Sequence, residues 1–159
     1  MIVEYLFLGH ARGAVQQREC RQIELLAGQG VVGDRHFGRT DWAGQQLTLV
    51  EAEEIERFCA HGRRPIDWSM TRRNVVTRGI RLNELVGHRF RLGACLLLGV
   101  ERCEPCRSLG RRLADETLSP PEIVEYWAGR GGLRADIVVS GLLACGDALT
   151  LVAAGEAAA

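Results

Sequence analysis

Glycine constrains this chain more than any other residue. Nineteen glycines are spread along its 159 residues, mostly between short apolar runs. That punctuation favours many short strands with tight connections over a helical bundle. Strands are expected at Ile2–Leu8, Ile23–Leu26, Gln46–Val50, Asn74–Thr77, Arg89–Leu92, Cys95–Val100, Leu133–Val139 and Ala148–Val152. Gly93-Ala94 sits between two of them and predicts a hairpin. Gly146-Asp147 predicts a second turn, between Leu142–Cys145 and Ala148–Val152. Helices are fewer. Glu51–His61 carries Ile55, Phe58 and Cys59 at helical spacing, with acids in its first turn. Ser119-Pro120-Pro121-Glu122 opens another, with Ser as cap and Pro in the first turn. A short helix is expected after Cys106, through Leu109 and Leu113. Strands and helices do not alternate regularly, which argues against a doubly wound α/β sheet. The expected fold is mainly β with peripheral helices, a closed or nearly closed β-barrel forming one domain over residues 1–159.

Charge narrows the function. Twenty basic residues balance 20 acidic ones, which argues against a general nucleic-acid or acidic-membrane binder. Every basic residue is Arg, and there is no Lys. A lysine Schiff base is therefore excluded, and with it covalently held pyridoxal phosphate. A Walker A loop is excluded for the same reason. Arginine in this number reflects either base composition or a fork-shaped oxyanion site, which Arg serves better than Lys. The N-terminal run Met1–Gly9 has no basic region and is interrupted by Glu4, so no secretion signal is expected there. No apolar window reaches the roughly 18–20 residues of a membrane helix. The expected address is the cytoplasm, with the six cysteines reduced.

Three constellations can carry chemistry. Cys103-Glu104-Pro105-Cys106 follows a predicted strand. A thioredoxin-like redox pair is one reading, but the surrounding chain offers no βαβ start and no later loop Pro. Zinc is a second, and it would need single recruits such as His88 and Cys145. A single working thiolate at Cys106, activated by a helix start and by Arg102 or Arg107, is a third. Two inert thiols beside a turn remain the bland alternative. Next, Gly30–Gly38 is a sharply bent loop presenting Asp34, Arg35 and His36, either as functional groups or as ordinary solvated charges. Finally, Arg72-Arg73-Asn74 enters a predicted strand. Alternation would put Arg72 and Asn74 on one face, suited to a phosphate or an amide edge, with Arg73 on the other. A charged strand edge that blocks aggregation is the alternative. No GxSxG, HExxH or GxGxxG occurs.

Taken in order, Gly33-Asp34-Arg35-His36, Arg72-Arg73-Asn74-Val75-Val76, Leu82-Asn83-Glu84-Leu85-Val86-Gly87 and the final Pro105-Cys106 resemble the MOSC domain. This is the module found at the C-terminus of molybdenum cofactor sulfurases. The resemblance implies a β-barrel-like fold with a cleft for the molybdenum cofactor, molybdopterin with its phosphate tail. It implies that Cys106 is the molybdenum ligand or carries sulfur as a persulfide. A soft thiolate suits that metal. Arg72 and Asn74 match the pair lining the cofactor cleft, and Asp34, Arg35 and His36 match the loop beside it. The implied activities are a molybdenum-dependent oxidoreductase, acting on N-hydroxylated compounds, or a sulfurtransferase component. A cofactor-free thiol redox or sulfur-carrier module using Cys103 and Cys106 is the alternative. The accompanying N-terminal β extension and C-terminal electron-transfer domain of some members are not expected within these residues. Electrons or sulfur would then come from a separate donor protein. Arg73 stands where some relatives have Pro, and on the alternation argument it faces away from the cleft.

Overall fold

Three pairs of adjacent apolar residues organise the interior. Leu6–Phe7, Leu49–Val50 and Val75–Val76 are all buried. Neighbouring strand residues point to opposite faces. The first member of each pair therefore enters one hydrophobic cluster, with Leu25, Phe90 and Leu97. The second member enters another, with Ile55, Phe58 and Trp127. The strands that carry these pairs are covered on both faces, by a second sheet on one side and by helices on the other. A computed structural model describes residues 1–10, 16–39 and 41–152.

The strands are β1 (Ile2–Leu8), β2 (Arg18–Cys20), β3 (Gln22–Leu26), β4 (Gly30–Val31), β5 (Leu47–Glu51) and β6 (Val75–Arg78), then β7 (Arg89–Leu92), β8 (Cys95–Arg102), β9 (Leu133–Val139), β10 (Gly141–Ala144) and β11 (Leu149–Leu151). The helices are α1 (Ala52–His61), α2 (Arg107–Leu113) and α3 (Pro120–Trp127), with 3-10 turns at Trp68–Thr71 and Leu82–Leu85. Eight strands form one sheet in the order β11-β7-β8-β9-β5-β6-β1-β2, and β10-β3-β4 form a small second sheet. Among the described strands, β5 and β6 form the one parallel ladder. A parallel pair needs a crossover, and α1 with the first 3-10 turn supplies it.

The mainly β fold with peripheral helices is as expected, but of the closed or nearly closed barrel expected from sequence the full closure does not form. Among the described residues, the edge strands β11 and β2 have no ladder between them. The sheet curls far enough for single contacts only: the Val3 amide donates to Asp147 at 2.9 Å, and Ile2 and Ala148 form an isolated bridge. Farther along β1, Leu6–Leu8 pair with β2 instead. A register shift between Val3 and Tyr5 separates the two halves. One strand cannot serve both neighbours along its whole length, so the closure stays partial. The Gly93-Ala94 hairpin is present, with Leu92 opposite Cys95. The turn after β10 is also present, but its flanking strands part: β10 pairs with β3 and β11 with β7.

Helix α3 starts as the sequence suggests. The Ser119 amide donates to Glu122 Oε2 at 2.8 Å, the reciprocal half of a capping box. Helix α2 lies against it through Gly110. A Cβ on Gly110 would stand 2.6 Å from the Pro120 carbonyl oxygen and 3.0 Å from Val124 Cγ2. Backbone cannot yield as a flexible side chain does, so overpacking here is costly. The Gly110→Ala protein is expected to lose about 1–3 kcal/mol of stability in a urea titration. An unchanged midpoint and slope would show that α2 and α3 are not in this contact.

Candidate functional site

A cleft of about 520 Å³ opens between the β4–β5 loop, the chain entering β6, and the segment from β8 into α2. Asp34, Arg35, His36, Arg72, Asn74 and Cys106 all line it. Residues separated by as much as 72 positions in sequence are thus gathered at one place.

The β4–β5 loop is shaped by a buried carboxylate. Asp34 is 8% exposed. Its Oδ2 accepts from the Gly9 amide at 2.8 Å and from Asn74 Nδ2 at 3.0 Å, while Oδ1 accepts from the His36 amide at 2.9 Å. Asn74 is equally buried, and its whole amide is used. Besides Asp34, Nδ2 donates to the Phe7 carbonyl at 3.2 Å, and Oδ1 accepts from the Thr48 hydroxyl at 3.0 Å. Asp34 and Asn74 therefore clamp the loop to β1, β5 and β6. The His36 side chain is exposed at the cleft wall. Desolvation lowers its pKa first, Arg35 lowers it further, and Asp34 only partly opposes them, so the shift favours the neutral imidazole.

The approach to β6 differs from the alternation argued from sequence. Arg72 ends the first 3-10 turn in the left-handed region, at φ 59° and ψ 34°. An L-residue pays on the order of 1 kcal/mol or more there. The strand begins only at Val75, so Arg72 and Arg73 do not sit on opposite strand faces. Arg73 lines the cleft as well. It is held by donating from Nε to the Gly131 carbonyl at 2.9 Å and from Nη1 to the Thr71 carbonyl at 3.1 Å.

Cys106 caps the start of α2 with an exposed thiol. Desolvation alone would push that thiol up, but the amides of Leu109 and Ser108, then Arg73 and Arg112, outweigh it. The net shift is downward. The sulfur makes no full capping hydrogen bond, so the amides act mainly through their dipoles. The cations that face the thiol are thus Arg73 and Arg112, not the sequence neighbours Arg102 and Arg107. Arg112 is anchored by donating from Nη1 to the Met70 carbonyl at 3.1 Å. Its own pKa is lowered by burial first and by the crowding of Arg72, with Cys106 opposing. The sequence did hold a sign of Arg112: it lies four residues after Ser108, hence on the same helical face, and both line the cleft.

Cys103 also lines the cleft but is only 3% exposed. Residues 103–106 run without a turn or bend, unlike thiols presented on one helical turn. Among the described residues no group of three or more His, Cys, Asp or Glu is placed to hold a metal ion. Among the described residues, Arg35, Arg39, Arg72, Arg73, Arg112 and Arg134 face the cleft, against the carboxylates of Asp34 and Glu104. This is a cationic wall with one soft nucleophile.

The MOSC domain family model matches residues 32–150, and the chain belongs to that family. Solved structures agree on the fold. The YuaD protein from Bacillus subtilis superimposes with a TM-score of 0.80 at 20% identity, covering 93% of both chains. YiiM from Geobacillus stearothermophilus gives 0.75 at 13% identity, over 98% of this chain and 77% of that one. YiiM from Escherichia coli gives 0.68 at 17% identity, over 96% and 70%. No curated protein matches the sequence. No helix among the described residues is long and apolar enough to cross a membrane.

The thiol environment is testable directly. Trypsin cuts after Arg102 and Arg107, so Cys103–Arg107 is a single peptide. The iodoacetamide reaction of Cys106, followed on that peptide, is expected to titrate below the ordinary Cys value of about 8.5. Arg73→Gln and Arg112→Gln should each move the midpoint upward. A wild-type midpoint at or above the ordinary value would contradict the assignment.

Proposed function

We propose that the cleft binds the molybdenum cofactor and that Cys106 supplies the protein's thiolate to the metal. The observation that carries this reading is the joint placement of one low-pKa thiol and six arginines in a single cleft. The donor set fits the group. A soft thiolate matches molybdenum. Planar, permanently charged guanidinium forks match a phosphate tail. Arg72 and Arg112 are the central phosphate holders in this reading, with Arg35 and Arg73 beside them. Asp34 and Asn74 spend their hydrogen bonds within the protein, so their part is to position the loop. His36, whose lowered pKa favours the neutral imidazole, can accept or donate a proton at the cleft wall.

When bound, the cofactor would supply two-electron oxygen-atom chemistry, with N-hydroxylated compounds as the substrate class implied by the family resemblance. The chain's own contributions are binding, orientation and a fixed thiolate. An electron donor would be a separate protein. A sulfur-carrier role uses the same Cys106 thiolate, and its exposure favours that role over a Cys103–Cys106 redox pair.

The test is expression in a host that makes the cofactor, followed by measurement of molybdenum and pterin per chain. Wild type is expected to carry both. Cys106→Ser should lose most of the metal while retaining pterin, and an Arg72→Ala/Arg112→Ala protein should lose both. If wild type carries no more molybdenum than Cys106→Ser, the ligand role is wrong. A gain of one sulfur atom on peptide 103–107 after treatment with a persulfide donor would favour the carrier role instead.

A further inference from the structure

Trp42 is out of keeping with the other large aromatic side chains. Trp127 is 1% exposed and lies in the helical core, whereas Trp42 is 65% exposed. Tryptophan is usually highly buried, because leaving its large ring in water forfeits the apolar burial that stabilises a fold. Trp42 nevertheless lines the cleft. Its loop is anchored close by: the Gly44 amide donates to Asp136 Oδ1 at 2.8 Å. Gly44 itself has a φ of 78°, and a Cβ on it would lie 3.2 Å from Arg134 Cβ and Val100 Cβ. The loop is therefore pressed onto β8 and β9 just beyond Trp42. Arg39, three residues before Trp42, and Arg134, beneath the loop, also face the cleft. Arg134 is partly balanced by Glu101 at 3.5 Å. Among the described residues no ion pair involves Arg39, and the acid adjacent to Trp42 in sequence is Asp41.

We propose that Trp42 and Arg39 form a docking face at the cleft for a planar, anionic substrate, a conjugated ring bearing a carboxylate or a comparable oxyanion. The ring stacks on the indole, and the anionic group is drawn to the arginine side. The proposal rests on the reading of the cleft as a cofactor site, with Cys106 and Arg112 holding the cofactor and Trp42 left to the substrate. Trp42 is then a specificity-determining residue. The chemistry excludes two kinds of ligand from tight binding: non-planar anions, which lose the stacking, and neutral aromatics, which lose the charge.

Three probes separate these contributions by calorimetry on the cofactor-loaded protein: naphthalene-2-carboxylate, cyclohexanecarboxylate and naphthalene-2-carboxamide. Naphthalene-2-carboxylate is expected to bind about tenfold more tightly than either of the others, the size of a stacking or exposed charge contribution. Trp42→Ala should abolish the preference for the planar acid over cyclohexanecarboxylate, and Trp42→Phe should keep part of it. Arg39→Gln should abolish the preference for the acid over the amide. Equal binding of the two acids to wild type, or an unchanged preference in Trp42→Ala, would overturn the proposal. Metal and pterin content is measured on the same samples. A Trp42→Ala protein that loads both normally yet keeps the wild-type preference refutes the docking face alone. A wild type that loads neither refutes the cofactor reading, and the same three-probe comparison on that protein still decides the docking face.

Discussion

The site depends on one buried carboxylate. Asp34 gathers a backbone amide from the end of β1, another from its own loop and the side-chain amide of Asn74. These are charge-assisted bonds in a water-poor setting, the stronger kind. They tie the β4–β5 loop to the end of β1 and to the chain entering β6. The loop bearing Arg35, His36, Arg39 and Trp42 is fixed to the chain bearing Arg72 and Arg73. The Arg35 amide adds a 2.7 Å bond to the Gly9 carbonyl at the same junction. Like charges repel, so the knot helps to hold the loop arginines beside those of the neighbouring chain.

That crowding is the electrostatic character of the cleft. Arg112 is held below its ordinary pKa by burial and by Arg72, while Cys106 is held below its own by amides and by Arg73 and Arg112. Arg112 lowers the thiol's pKa, and Cys106 in turn raises that of Arg112 against burial and Arg72. The cations make the thiolate comfortable, and the thiolate relieves the cations. Two of the guanidinium groups, of Arg73 and Arg112, are anchored on main-chain carbonyls, of Gly131, Thr71 and Met70. Such bonds fix position without cancelling charge. A cleft built this way is preorganised for an anion and for a soft metal centre, and it places an unusually exposed indole at its border.

Much of the fold was legible in the sequence. Apolar runs between glycines located β1, β7 and β9 at their observed bounds, and the capping signal located α3. Strands β2 and β4 escaped, because three and two residues carry no period to detect, and β10 was read only as the flank of a turn. The barrel was overdrawn because closure depends on how β1 divides its length between two neighbours, which no local pattern encodes. At the site, the six residues singled out do meet in one cleft. Their division of labour was not legible. Arg72 in a left-handed conformation could not be foreseen, since Gly or Asn normally marks such a position. That conformation undid the alternation argument and brought Arg73 into the cleft. Arg134 and Trp42 became visible only through packing, and Arg112 was marked only by its helical spacing from Ser108.

The most direct test of the whole arrangement changes the knot and none of the arginines. In Asp34→Asn, one amide oxygen replaces two carboxylate oxygens, and an NH2 group is turned toward existing donors. The measurement is inorganic phosphate binding by calorimetry, on wild type and variant, with far-UV circular dichroism to establish that both are folded. The account predicts at least a tenfold loss of affinity in the folded variant, since displaced arginines no longer converge. Equal phosphate affinity in the two proteins would contradict it.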